Sequence, residues 1–194
     1  MSITIPAISG EQLIAFRHEL HQFPELSNQE FETTARLRGQ REQQQIRILD
    51  LPLKTGLVAE IGTSGGPLVV LRADIDALPI EEQSGVSYRS QRPGVMHACG
   101  HDFHSAAALG AAILLKQQAE KSGFDAHVVE ASPIGEDFAF YQQQLPGAFM
   151  MIGTGEPYAL HHPAFRVNDE VLLPTAHYLA DLARAALVSL AQPQ

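Results

Sequence analysis

The sequence predicts an α/β domain with a sheet covered by helices, and three observations point to it. Stretches with apolar residues every three or four positions alternate with short apolar runs of strand length. Capping residues, glycines and prolines fall at the boundaries between them. At 194 residues the chain suits one well-buried domain, or one domain with a small appendage.

Ser9 with Gln12 forms a plausible capping box, and Leu13, Phe16 and Leu20 then give a helix that stops near Phe23-Pro24. Ser27 with Glu30 repeats the signal for a second helix, starting with Phe31 and Ala35 on its apolar face. Its continuation, Arg38 to Gln45, has no apolar residue. That stretch is either a solvated helix end or a sequence altered from an ancestral form. Ile46 to Leu51, Leu57 to Ile61 and Leu68 to Leu71 read as strands, with Gly62 to Pro67 as a hairpin turn between the last two. Ser105 to Ala119 is a helix rich in Ala and Leu, ended by Gly123. Ala126 to Ala131 reads as a strand, Glu136 to Gln144 as a helix and Ala148 to Ile152 as another strand. Pro174 opens a final helix with Tyr178, Leu179, Leu182, Ala186 and Leu187 inward.

Composition narrows the function classes. The net charge of −9 argues against a nucleic-acid surface, which needs a basic face. No apolar run approaches bilayer-spanning length and the N-terminus lacks a secretion signal, so no membrane partner is expected. A single cysteine precludes an internal disulfide, and a cytoplasmic location is the expectation.

Chemistry concentrates in four places. Met96 to Asp102 holds the only cysteine, Cys99, two residues before His101, with His97 and His104 close by. A thiolate and an imidazole on a Gly-containing loop can converge on a borderline-soft cation such as Zn²⁺. A buried apolar thiol is the plainer alternative, and a thiol nucleophile with His97 or His101 as base is another. Asp74 and Asp76 follow a strand-like run, where open α/β sheets place their sites, although a solvated turn has the same composition. Glu136 and Asp137 open a helix, where the dipole favours acids in any case. His161 and His162 lie in a Pro-containing loop, able to offer one ring to a metal or simply to solvent.

Together these segments resemble one family, the zinc-dependent amidohydrolases and aminoacylases of the M20 metallopeptidases. They are nearest the branch with hippurate hydrolases and N-acetyl-diaminopimelate deacetylases. The likeness is carried by FRHELHQFPEL from Phe16, RADIDALPI from Arg72, MHACGHDFHSAAALGAA from Met96, GEDFAFY from Gly135 and LHHPAF from Leu160. It implies a single, truncated catalytic domain over residues 1–194, with the helix-flanked mixed sheet of the zinc exopeptidases. It further implies Cys99, His101 and His161 as metal ligands and Asp76 as the acid that orients a ligand from behind. Glu136 and Asp137 would lie near the site. The implied cofactor is a divalent metal, zinc first, with manganese, cobalt or nickel as alternatives. The implied substrate is a small N-acyl amino acid or dipeptide-like amide, hydrolysed by metal-activated water while a glutamate shuttles the proton.

That glutamate is missing. The family keeps a Glu-Glu pair in a Gly-rich loop after the CGHD helix, and the only adjacent pair here, Glu81-Glu82, comes too early. The resemblance therefore implies an internal deletion near residues 116–123, removing the base, further ligands and the lid and dimerisation domain. A monomer with weak or no activity is expected. The alternative from a different class is a non-catalytic scaffold, natural or engineered, that retains a remnant metal site. The resemblance also implies that the segments that choose the acyl group and the amino acid are absent.

Overall fold

A computed structural model describes residues 8–62, 68–122, 143–145, 147 and 156–191 of the chain. Helix α1 (Gly10–Gln22) begins with the predicted capping box: Ser9 Oγ accepts from Gln12 N at 3.1 Å, and Gln12 Oε1 accepts from Ser9 N at 2.9 Å. Leu13, Phe16 and Leu20 are buried as expected, but Arg17 and His21 are buried beside them.

Helix α2 (Phe31–Gln43) starts where predicted by a different device. No Ser27–Glu30 box forms; the Glu25 carboxylate accepts from the first-turn amides of Glu32 and Thr33 at 3.2 and 2.7 Å. The helical phase also differs, because Thr33, Leu37 and Arg41 face inward while Phe31 is 56% exposed. The apolar-free stretch is thus neither wholly solvated nor idle. Arg41 takes the next core position after Leu37, and burial lowers its pKa to about 10. The helix closes in a Schellman motif: Gln45 is left-handed at φ 53°, its N–H bonds to Glu42 O, and Ile46 N bonds to Arg41 O, both at 2.9 Å.

Strands β1 (Arg47–Ile48) and β2 (Ala59–Glu60) pair antiparallel, Arg47 opposite Glu60 and Ile48 opposite Ala59. The first two predicted strands therefore pair with each other. In the third, Leu68 to Leu71, only a bridge at Val69 forms among the described residues, and its proposed turn lies largely outside them. Isolated bridges join Leu26 to Ala77 and Leu78 to Met96, pinning the long segment that leads to the cysteine loop.

Helix α3 (His101–Ser122) is the spine, beginning four residues earlier than predicted. Phe103, Ala106, Leu109, Ile113 and Leu115 on several of its faces are buried. It packs chiefly on α4 (Leu172–Leu190) and on α1. The contact is close at Gly110, where a Cβ would lie 2.8 Å from Ala176 Cβ and 2.9 Å from Leu13 Cδ2. Such an approach selects small partners, so α4 turns Ala176, Ala180 and Ala183 inward together with Leu172, Thr175 and Leu187. That corrects the expected face: Leu187 is buried, Leu179, Leu182 and Ala186 are half-buried, and Tyr178 is 55% exposed.

A 3₁₀ turn, Asp169–Val171, leads into α4. With it, Asp169–Leu190 is long and apolar enough to cross a membrane by length and composition, at a mean hydropathy of 1.2. This corrects the expectation that no run approaches such length; its alanine stripe packs on α3, and 28% of its most apolar window is buried. The proposed strands at 126–131 and 148–152, most of the helix at 136–144, and both Glu136 and Asp137 lie outside the described residues.

Candidate metal centre

The site is built where the cysteine loop enters α3. Gly100 turns the chain with φ +79°, a value that disfavours any residue with a Cβ, and a Cβ there would also meet the Phe165 ring at 3.5 Å. The turn places Cys99 half-exposed and His101 buried at the start of the helix. His101 Nδ1 lies 2.9 Å from both Asp76 Oδ1 and the Asp76 carbonyl oxygen. With Nδ1 so engaged, Nε2 is the nitrogen left to meet a metal, the usual arrangement of a ligand histidine backed by a carboxylate. The Cys99 thiol lies against the same ring. Burial disfavours charge on His101, but Asp76 and Cys99 outweigh it and push the pKa up to about 10. Burial likewise opposes ionisation of Asp76, and His101 nonetheless holds that carboxyl below its ordinary range.

His161 joins the neighbourhood through its backbone. Its N–H donates to Ala98 O at 2.7 Å, tying the His161 loop to the residue before Cys99, and its φ of +67° is rare for a non-glycine. The His161 and His162 side chains are exposed; His162 stacks on Tyr158 and accepts from Ala164 N at 3.0 Å. His104 is exposed, its ring 5.5 Å from that of His101. Asp74 is taken up by Arg72 and, through its carbonyl, by Ser105 Oγ at 3.0 Å. The structure thus brings Asp76, Cys99 and His101 together and sets the His161 backbone alongside. Among the described residues, no group of three or more His, Cys, Asp or Glu side chains is arranged to hold a metal ion. The donor set in place is a thiol and an imidazole with a carboxylate behind, which fits a zinc-type cation as two ligands of an incomplete shell. Within that set Asp76 stands not at the end of a strand but in an extended segment before the Ala77 bridge.

Behind the site lies a buried polar network that the sequence patterns did not disclose. Asp102, 1% exposed, receives Arg17 Nε at 3.0 Å and His21 Nδ1 at 2.9 Å on the same oxygen. His21 Nε2 meets Glu82 Oε1 at 3.1 Å, so both ring nitrogens face carboxylates. Burial opposes charge on His21, yet Asp102 and Glu82 raise its pKa to about 9. Arg17 also donates to Asp169 and to Val167 O, and its pKa is raised against burial by Asp102. Burial works against the Asp102 carboxylate too, but Arg17 and His21 hold it well below the usual range. His18 stacks on Tyr88 and meets Asp169 at 2.7 Å. The missed signal was spacing: Leu13, Arg17 and His21 recur every four residues on the face that also carries Phe16 and Leu20.

Asp102 is committed to Arg17 and His21, and Glu82 accepts from His21, Ser84 and the Ser90 amide. His97 is fully enclosed with neither ring nitrogen partnered, and burial lowers its pKa to about 4, which removes it as an exposed base for Cys99.

Comparison with known proteins agrees with this architecture. The model of Peptidase family M20/M25/M40 matches residues 70–129 and 114–185, and the chain belongs to that family. It is 58% identical over 108 residues to an N-acetyl-L-cysteine deacetylase of Bacillus subtilis, covering 55% of this chain and 26% of the relative. A second Bacillus subtilis protein, an N-acetylcysteine deacetylase, is 44% identical over 154 residues, covering 78% of this chain and 40% of the relative. A Bacillus subtilis protein of known structure, described as a dinuclear metal binding peptidase from the M20 family, superposes with a TM-score of 0.59 at 49% identity. That superposition covers 62% of this chain and 34% of that one. The chain therefore spans well under half the length of these relatives.

Proposed function

We propose that this chain carries part of the catalytic machinery of a metal-dependent hydrolase of N-acyl amino acids, with Cys99, His101 and His161 as ligands of one divalent metal. The observation that supports it most is the Asp76–His101–Cys99 contact at the entrance of α3. A metal held there would polarise an amide carbonyl and activate water. Asp76 fixes the His101 ring, and the Ala98–His161 bond keeps the third donor's loop beside the cysteine. Zinc is the metal expected of a thiolate–imidazole set, with manganese, cobalt and nickel as alternatives. The substrate class follows the relatives named as N-acetylcysteine deacetylases, so N-acetyl-L-cysteine is the first compound to try.

Turnover is expected to be very slow. No Glu-Glu pair follows the CGHD helix, and the two stretches matched by the family model overlap at residues 114–129, which supports an internal deletion near 116–123. Loss of the shuttle removes the roughly 10²–10⁴-fold that general acid–base groups supply. By the family resemblance, Glu136 and Asp137 would be the acids to test as a replacement. A cytoplasmic monomer fits the single free cysteine and the absence of the family's dimerisation segment.

The alternative, a non-catalytic domain with a remnant metal site, shares the metal and differs in turnover. Elemental analysis of the purified chain, with and without Cys99→Ala and His101→Ala, tests the site. One equivalent of metal lost in both variants supports it, and unchanged affinity overturns it. Steady-state assays on N-acetyl-L-cysteine and N-benzoyl amino acids with zinc, cobalt or manganese then separate the two functions. Turnover on the order of 1–10³ per second would contradict the missing base, and Glu136→Gln would be the first variant to make.

A further inference from the structure

We propose, building on Cys99 and His101 as metal ligands, that Arg17 and His21 are positioning residues that aim His101 through Asp102. Asp102 directly follows His101 in the first turn of α3, so on a 3.6-residue helix the two side chains leave about 100° apart. They are gripped by different elements. Asp76 holds His101 through its carboxylate and carbonyl oxygens, while Arg17 and His21 of α1 hold Asp102 through one carboxylate oxygen. Turning α3 about its axis to slacken one grip stretches the other, so the pair locks the rotation of the turn that presents Nε2 of His101.

The α1 side of this clamp is itself anchored. Arg17 is tied to Val167 O and Asp169, and His21 to Glu82, so α1, the segment before α4 and the loop after Pro79 all bear on Asp102. Apolar residues of similar volume would serve packing alone with less desolvation, since a buried ion pair is a weak source of stability. Arg17, His21 and Asp102 are each about 1% exposed, and Asp102 lies one residue from the proposed ligand His101, where fixed orientation is what an ion pair supplies and packing does not.

The two nitrogens of His21 allow a clean separation. His21→Asn keeps a donor near the place of Nδ1, facing Asp102, and loses the Glu82 bond; His21→Gln keeps a donor near the place of Nε2 and loses the Asp102 bond. In the metal-free chain, the Nδ1–H proton of His101 is expected to be exchange-protected in NMR spectra of the native protein and of His21→Asn, and to broaden or vanish in His21→Gln. Cobalt(II) affinity should fall on the order of tenfold in His21→Gln and hold in His21→Asn, within the range typical of outer partners of metal ligands. Equal proton signals and equal cobalt affinities in the two variants would overturn the proposal, as would equal losses in both. Cobalt affinity insensitive to Cys99→Ala would sink the ligand assignment alone, and the proton signal then decides the clamp by itself. Where His21→Gln fails to fold by circular dichroism, Arg17→Lys replaces it, with the same loss of the His101 proton signal expected and an unchanged signal overturning the clamp.

Discussion

At the scale of the residue, the histidines divide by surroundings. His21 has its pKa raised from 6.5 to about 9, so its contribution to stability is complete below pH 6.5 and is lost as pH rises through 9. His97 has its pKa lowered from 6.5 to about 4, so its contribution is complete above pH 6.5 and is lost as pH falls through 4. Each shift corresponds to about 3 kcal/mol at most. Stability should therefore peak near pH 6.5, and urea midpoints measured from pH 4 to 10 check it. In His21→Gln the alkaline decline should shrink while the acid decline stays; a midpoint flat from pH 6.5 to 9 in the native chain would contradict the His21 assignment. The contact of His101 with Cys99 and Asp76 was anticipated from the family resemblance, since C-x-H spacing alone is also met in buried apolar thiols. Arg17 and His21 were not, because a buried cation is recognised only by its partner, and Asp102 lies 85 and 81 positions away in the chain.

At the scale of the element, helix existence was legible and helix phase was not. The capping box located α1, and α2 and α3 began within a few residues of expectation. The inward faces of α2 and α4 were misjudged for related reasons. In α2 the core position after Leu37 is Arg41, whose polarity hid it from an apolar count. In α4 the bulky residues seemed natural core, but close approach to Gly110 of α3 rewards alanine. Gly110→Ala tests that packing. The added methyl meets Ala176 and Leu13 under 3 Å, and overpacking of this kind is destabilising by about 1–3 kcal/mol. The gain in helix propensity returns up to about 1 kcal/mol. A net loss of about 1–2 kcal/mol in thermal or urea unfolding is expected, and a stabilised variant would show that α3 and α4 are not in such contact.

At the scale of the whole molecule, the chain is a member of the M20 family that spans less than half of its relatives' length. Its α/β character was legible in the alternation of periods. The run Leu68 to Leu71 carries an isolated bridge at Val69, and among the described residues the sheet is two-stranded, β1 with β2. Asp76, Cys99 and His101 assemble within the described residues, while His161 comes near by a backbone bond and its side chain faces solvent. The molecule therefore holds the Cys99–His101 turn proposed above as a ligand pair, and no Glu-Glu pair follows it in the sequence.

Proton release on zinc binding tests the central claim most directly. Asp76 and Cys99 push the His101 pKa up to about 10 in the metal-free chain, and metal ligands must be deprotonated, so zinc added near pH 8 should displace protons from the site. Titrating zinc into the weakly buffered chain should release protons as the ion binds. His101→Ala and Cys99→Ala should each lower both the release and the affinity. Zinc binding with the same proton release in all three proteins would place the metal elsewhere and contradict the assignment of Cys99 and His101.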